Sequence, residues 1–420
     1  MSRFSRTLLA TCLGLLVILS MTMVMIVQVG AQDGSDATPT PPVKGEVEDF
    51  YAGDPVVEGD AEWTVSDFFV ESNYPEGFTA SAKVESSAGK IVNASFVWSL
   101  VIGQRRNIAA DYDEETGVAT LNWIPDEATP PWVAVNYQWV FKDEEDNLYH
   151  TQWILGAEYE DNTREWTRAE SEDVIVFVEE GLPEETAELV VDAMAEGRET
   201  YRIAWGELLP FKPRAILFSN RSTWNEWQVG VTNDNVIGTT RSDWGATVQV
   251  VSGNNVVDMA YGTTLHEVAH LYQHENVALG VDWFVEGNAT FFELNQQNDY
   301  EQFVRNMAVS GTLPPLLRGT GPTIRGNNAR DGYNIGYTFF KWLVETYGLE
   351  AHHELFVLMR RGIGRNGALE QITGLTIDDV ERAWRMWLGA AGDAPTPIPT
   401  PTFFNPLLNR TPDPTVPSGN

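Results

Sequence analysis

Between residues 49 and 160, apolar and polar positions alternate with a period of two. Phe78, Ala80, Ala82 and Val84 are separated by Thr79, Ser81 and Lys83, and Val133, Val135, Tyr137, Trp139 and Phe141 repeat the pattern farther on. Successive side chains of a strand point to opposite faces, so such runs predict half-buried β-strands. The acidic segment Asp143-Glu144-Glu145-Asp146-Asn147 divides the second run from residues 148–155, which predicts a hairpin. No helical periodicity interrupts this region. The expectation is a β-sandwich of immunoglobulin-like type, with no pocket chemistry of its own and at most a spacer or binding role.

The pattern changes past Trp166. Residues 174–178 and 215–218 read as short buried strands, with a helix from Pro183 to about Ala204 between them. Residues 246–251 and 255–259 read as further strands, and from Thr264 onward the spacing is almost entirely helical. The expected fold class is therefore α+β: the sandwich at 49–160, then a domain at 161–390 with a mixed sheet and a mainly helical C-terminal half. No internal repeat is visible.

Residues 32–48 and 391–420 are rich in Pro and Thr, too poor in apolar residues to pack, and read as a linker and a disordered tail. At the start of the chain, Arg3 and Arg6 precede an uncharged apolar run to Val27, and small residues follow at Val29-Gly30-Ala31, as in a cleaved export signal. The run approaches the roughly 20 residues that span a bilayer, so an uncleaved N-terminal anchor is the alternative for 1–31. Either reading puts the domains outside the cytoplasm, secreted or at the cell surface.

Composition narrows the partners. Hydrophobic residues make up 43% of the chain, with 15 Trp, which is material for packed cores. A net charge of -33 excludes a sequence-independent grip on nucleic acid or anionic lipid, because that grip needs Lys and Arg to neutralise phosphates. Cys12, inside the export run, is the single cysteine. The exported part therefore has no disulfides, and a transition metal must rest on His and carboxylates.

Candidate chemistry lies in Thr264-Leu265-His266-Glu267-Val268-Ala269-His270-Leu271-Tyr272, whose apolar positions 265, 268, 269 and 272 mark one buried helical face. His266 and His270 are one turn apart, about 6 Å along the axis, so their nitrogens can converge on one tetrahedral ion. Glu267 then faces the open side of the ion, placed as a general base toward water. A third ligand should follow on a neighbouring helix. Glu286 is the candidate, sixteen residues past His270, in Asp282-Trp283-Phe284-Val285-Glu286-Gly287-Asn288-Ala289, with room for a loop near Gly280 and a return helix from about Asp282. Two His, one Glu and a water in the fourth place form a catalytic zinc arrangement.

His-Glu-x-x-His followed by Trp-x-x-Glu-Gly-x-Ala resembles the gluzincin-type, peptidase MA-like zinc metallopeptidases. The likeness extends to Gly332-Tyr333-Asn334-Ile335-Gly336-Tyr337-Thr338-Phe339-Phe340, similar to the helix after the site, and to Gly367-Ala368-Leu369, Gly374-Leu375-Thr376, Trp384 and Trp387-Leu388, similar to the closing helices. It covers roughly residues 170–390. It implies a zincin-type domain that hydrolyses peptide or protein substrates, with zinc held by His266, His270 and Glu286. It also implies Tyr333, ahead of Tyr337, as a hydroxyl toward the developing oxyanion, and strand 246–251 as the place where an extended substrate pairs. One position departs from the pattern: related proteins often carry an acidic residue four positions after the ligand Glu, orienting a zinc-bound His, and this chain has Thr290. A hydroxyl there accepts the imidazole hydrogen bond more weakly than a carboxylate.

Other assignments compete with these. Thr264 with Glu267 also fits a capping box, in which Glu267 would bond to the first amide of the helix. His274 lies about 12 Å along the helix from His266 and turned by about 80°, too far to share the ion. His150, His352 and His353 lack ligand spacing and read as structural. Sequons occur at Asn93, Asn220, Asn288 and Asn409; a glycan on Asn288 would crowd Glu286, so a bacterial source without such glycans fits better. The alternative function is a catalytically degenerate zinc-binding surface protein, in which the sandwich binds a partner and the zinc domain is structural.

Overall fold

The structure, a computed structural model, describes residues 54–100, 105–228, 237–276, 280–295, 300–319, 321–322, 324 and 330–392. The expected export signal or anchor, the linker and nearly all of the tail lie outside the described residues. Among those residues no helix is long and apolar enough to cross a membrane.

The first part of the chain forms two antiparallel sheets. In one, β8 (Ala134–Asp143) is central. It pairs with β4 (Ile91–Ser99) on one side and with β9 (Leu148–His150) and β10 (Ile154–Glu158) on the other; β5 (Arg106–Ala109) and β1 (Val56–Glu58) lie at the edges. The second sheet runs β2 (Trp63–Ser72), β3 (Phe78–Ser86), β7 (Val118–Trp123), β6 (Asp111–Asp113). The alternating apolar residues of β3 and β8 are buried, and the two sheets meet through them and β4: Phe78 of β3 lies 5.4 Å edge-on to Trp98 of β4 and 6.0 Å from Phe96, which stacks on Tyr137 of β8. The acidic hairpin is closed by Asp143, whose buried carboxylate accepts from the amides of Glu145 and Asn147 and from the Ser86 hydroxyl. The expected strand at 148–155 is two short strands, interrupted where the Thr151 hydroxyl takes the Trp139 amide, 2.9 Å away.

A mixed five-stranded sheet follows, in the order β11 (Trp166–Glu170), β12 (Ile175–Glu179), β13 (Arg214–Phe218), β15 (Ala246–Val250), β14 (Gly238–Arg241). Its three inner strands are parallel, and both edge strands run antiparallel to their neighbours. The inner strands are apolar on both faces because both faces are covered, as parallel sheets require. Val176, Val178, Ala215 and Leu217 join the helical core, while Ile175, Phe177, Ile216 and Phe218 join the core of the sandwich. Trp132 stacks on Phe177 at 4.7 Å across this second face, and Arg214 ties the layers together by donating to the Trp132 carbonyl and to Glu158.

Helix α1 (Thr186–Trp205) crosses from β12 to β13, and the short α2 (Arg221–Glu226) follows β13, capped by the Asn220 side chain on the Thr223 amide. The expected strand at 255–259 is not formed. Residues 253–264 are helical throughout, ending in a π-helical turn at Met259–Thr264 that runs into α3 (Leu265–Asn276). The burial explains the difference: Val256 and Met259 are buried and Val257 is half exposed, a spacing of three, where a strand would need two. The capping box is overturned for the same reason. Thr264 sits inside a continuous helix, buried, with its hydroxyl donating to the Met259 sulfur.

The remaining helices are α4 (Asp282–Phe291), α5 (Tyr300–Ser310), α6 (Arg330–Tyr347), α7 (Leu349–Arg360), α8 (Arg365–Thr373) and α9 (Ile377–Trp387). Helices α4 and α6 touch backbone to backbone, and a Cβ built on Gly287 would lie 2.3 Å from the Gly336 Cα. His352 of α7 is fully buried, its Nδ1 2.9 Å from the Ala204 carbonyl and its Nε2 2.7 Å from Asn288 Oδ1, and Asn288 Nδ2 in turn donates to Gln273. One imidazole thus links α1, α3, α4 and α7, as its structural reading implied, and the buried Asn288 is no glycan site.

Two stability predictions follow from this packing. Gly287→Ala forces α4 and α6 apart and lowers unfolding stability by roughly 2–3 kcal/mol in urea melts, the scale of core overpacking. Burial depresses the His352 pKa to about 4, so the neutral ring contributes stability above the unfolded value of 6.5 that is lost as pH falls toward 4. His274 is depressed to about 4 by burial as well and adds to the same window. Melts of wild type should weaken between pH 6.5 and 4, and His352→Gln should flatten that slope.

Candidate metal centre

Helix α3 is pinned by its apolar face, with Leu265, Val268, Ala269 and Leu271 at 0% exposure. The Tyr201 hydroxyl of α1 donates to the Leu265 carbonyl at 2.5 Å, fixing the backbone one residue before His266. Four positions apart on this rigid helix, His266 and His270 are each 8% exposed, and α4 brings Glu286, 4% exposed, against them. Both Nε2 atoms face one carboxylate oxygen: Glu286 Oε2 is 3.1 Å from His266 and 3.5 Å from His270. Neighbouring ligands of a tetrahedral zinc, with bonds near 2.0–2.1 Å, stand about 3.3 Å apart. The three donor atoms lie within 4.8 Å of one another, so the donor set, its burial and its spacing fit a zinc ion.

The chain's own carboxylates hold the imidazoles in place. Glu293 Oε1 lies 2.9 Å from His266 Nδ1, fixing the ring so that Nε2 is the nitrogen turned to the site. Sequence reasoning missed this residue. It follows Glu286 by seven positions, past the end of α4 at Phe291, where the chain has left the helix, so no helical spacing announced it. Thr290 does not take the orienting role assigned to it. Its hydroxyl donates at 2.8 Å to the Glu286 carbonyl of its own helix, as threonine hydroxyls in helices commonly do. Burial disfavours the charged forms of both His266 and Glu286, yet their mutual contacts prevail: hydrogen bonds donated to Glu286 and Glu293 raise His266 to about 10, and the His270 and His266 contacts hold Glu286 well below the usual carboxylate range.

Glu267 follows His266 and points toward β14, where Thr240 Oγ1 donates to its Oε2 at 2.5 Å. Tyr333, near the start of α6, lies with its ring centroid 6.0 Å from His266. Its hydroxyl is pushed far above the ordinary phenol range, first by burial and then by the charges of Glu286 and Glu267. Tyr337 packs against Tyr300 and under Lys341. The expectation for strand 246–251 is corrected: β15 is flanked by β13 and β14 and offers no free edge, whereas β14 is the edge strand beside α3. His274 lies outside the three-residue cluster.

No family model matches the chain, and no curated protein matches it. Among solved structures it is similar to a two-domain M1 zinc metallopeptidase bound to L-arginine, at 14% identity over 80% of this chain and 95% of that one, with a TM-score of 0.36. An M1 zinc metallopeptidase from Deinococcus radiodurans is similar at 14% identity, 81% and 95% coverage and a TM-score of 0.33. Legionella pneumophila aminopeptidase A is similar at 11% identity, 80% and 50% coverage and a TM-score of 0.32. At this level of likeness the assignment of the site rests on its own geometry.

Glu293 and Thr290 are separable by mutation. Glu293→Gln should weaken zinc affinity about 10–100-fold in chelator competition, and Thr290→Val should leave it within about twofold.

Proposed function

We propose that this chain is an extracytoplasmic zinc-dependent metallopeptidase, and the observation that carries the reading is the convergence of His266 Nε2, His270 Nε2 and Glu286 Oε2 at zinc-ligand spacing with Glu267 alongside. The domain division of the sequence reading belongs to the same proposal: an export signal or anchor at 1–31, an immunoglobulin-like sandwich at 49–160 and a peptidase MA-like zinc domain at 161–390.

When bound, zinc supplies Lewis acidity to a scissile carbonyl and lowers the pKa of water. The chain supplies the rest. Glu267 takes the proton of the attacking water and delivers it to the leaving amine. Tyr333, kept neutral by its raised pKa, remains a hydrogen-bond donor at every working pH and serves the developing oxyanion. Glu293 keeps His266 oriented. An extended peptide pairs with the outer edge of β14, which brings its backbone past Glu267.

Glu267→Gln should retain stoichiometric zinc while peptide cleavage falls by at least about 100-fold. A zinc assay paired with a denatured-protein digest checks both, and undiminished cleavage by the variant would remove Glu267 from the mechanism.

A further inference from the structure

Side chains alternate across a strand, so Gly238 and Thr240 share one face of β14 and Thr239 and Arg241 the other. Arg241 is engaged away from the site, its guanidinium 4.6 Å over the Trp244 ring and paired with Asp243. The Gly238 and Thr240 face turns to Glu267. Thr240 Oγ1 reaches Oε2, and a Cβ built on Gly238 would come within 3.2 Å of Oε1. One position offers a hydroxyl to one carboxylate oxygen; the other offers bare backbone beside the second.

The chemistry of this pair is directional. A carboxylate only accepts, so the hydroxyl proton points from Thr240 to Glu267 and Oε2 is the occupied oxygen. Threonine is stiff at χ1, whereas a glutamate carboxylate swings on three torsions, so the strand fixes the base and not the reverse. We propose that Thr240 is the positioning residue of the general base: it anchors Glu267 Oε2, leaving Oε1 to receive the proton, and Gly238 keeps Oε1 unobstructed. The inference rests on the peptidase reading of Glu267 and adds to it the element that aims the base.

Full-length, zinc-loaded Thr240→Val and Thr240→Ser are the test, because valine keeps the shape without the donor and serine keeps the donor. Against a peptide that wild type cleaves, Thr240→Val should lose about 10–100-fold in kcat with KM within about twofold and zinc content unchanged, and Thr240→Ser should recover to within about threefold. Wild-type kcat in Thr240→Val, an equal loss in Thr240→Ser, or a loss confined to KM overturns the proposal. A wild-type protein that binds zinc and cleaves nothing would defeat the peptidase reading alone. Crystal structures of the variants then decide the anchoring: Glu267 ordered in wild type and Thr240→Ser and spread over rotamers in Thr240→Val is the expected result, and an unchanged rotamer in Thr240→Val contradicts it.

Discussion

Two imidazoles and a carboxylate, each more than nine-tenths buried, share one point between α3 and α4. Groups of this kind are stable in a protein interior only when they face partners that offset the lost water. That requirement shapes what surrounds them. Glu293 takes the outer nitrogen of His266, and Tyr201 ties the backbone just before it. Gly287 and Gly336 let α4 and α6 meet without side chains between them, which sets the depth at which Glu286 enters.

The five-stranded sheet carries that arrangement on one side and the sandwich on the other. Its alternating inner strands give one set of side chains to each core, so the two parts of the chain share a wall. Trp132 on Phe177 and Arg214 on Glu158 make the sandwich part of the platform from which β14 and α3 project. A boundary at residue 160 divides the chain between strands while leaving the hydrophobic packing continuous across it.

The pair of His residues and the partner Glu286 were legible because four-residue spacing on an amphipathic helix dictates direction, whatever the surrounding fold. Strands β3 and β8 were legible for the analogous reason at period two. What escaped depended on neighbours distant in sequence. Strand β14 is Gly-Thr-Thr-Arg, half-buried at every position, with no apolar alternation to announce it. The two valines of 255–259 read as a strand, but that stretch is the helical lead-in to the π-turn at Met259–Thr264, with Val256 and Met259 buried in the core that α1 also lines. Glu293 lies past the end of the helix that carries Glu286, where no helical spacing announces it, while Thr290, four positions after Glu286, bonds its own backbone.

Anomalous diffraction at the zinc edge from crystals of the zinc-loaded protein tests the central claim most directly. The account predicts one ion bonded to His266 Nε2, His270 Nε2 and the Glu286 carboxylate, with Glu293 still on His266 Nδ1 and one coordination position left to solvent. An ion bound elsewhere, or a site between α3 and α4 without anomalous signal at saturating zinc, would contradict it.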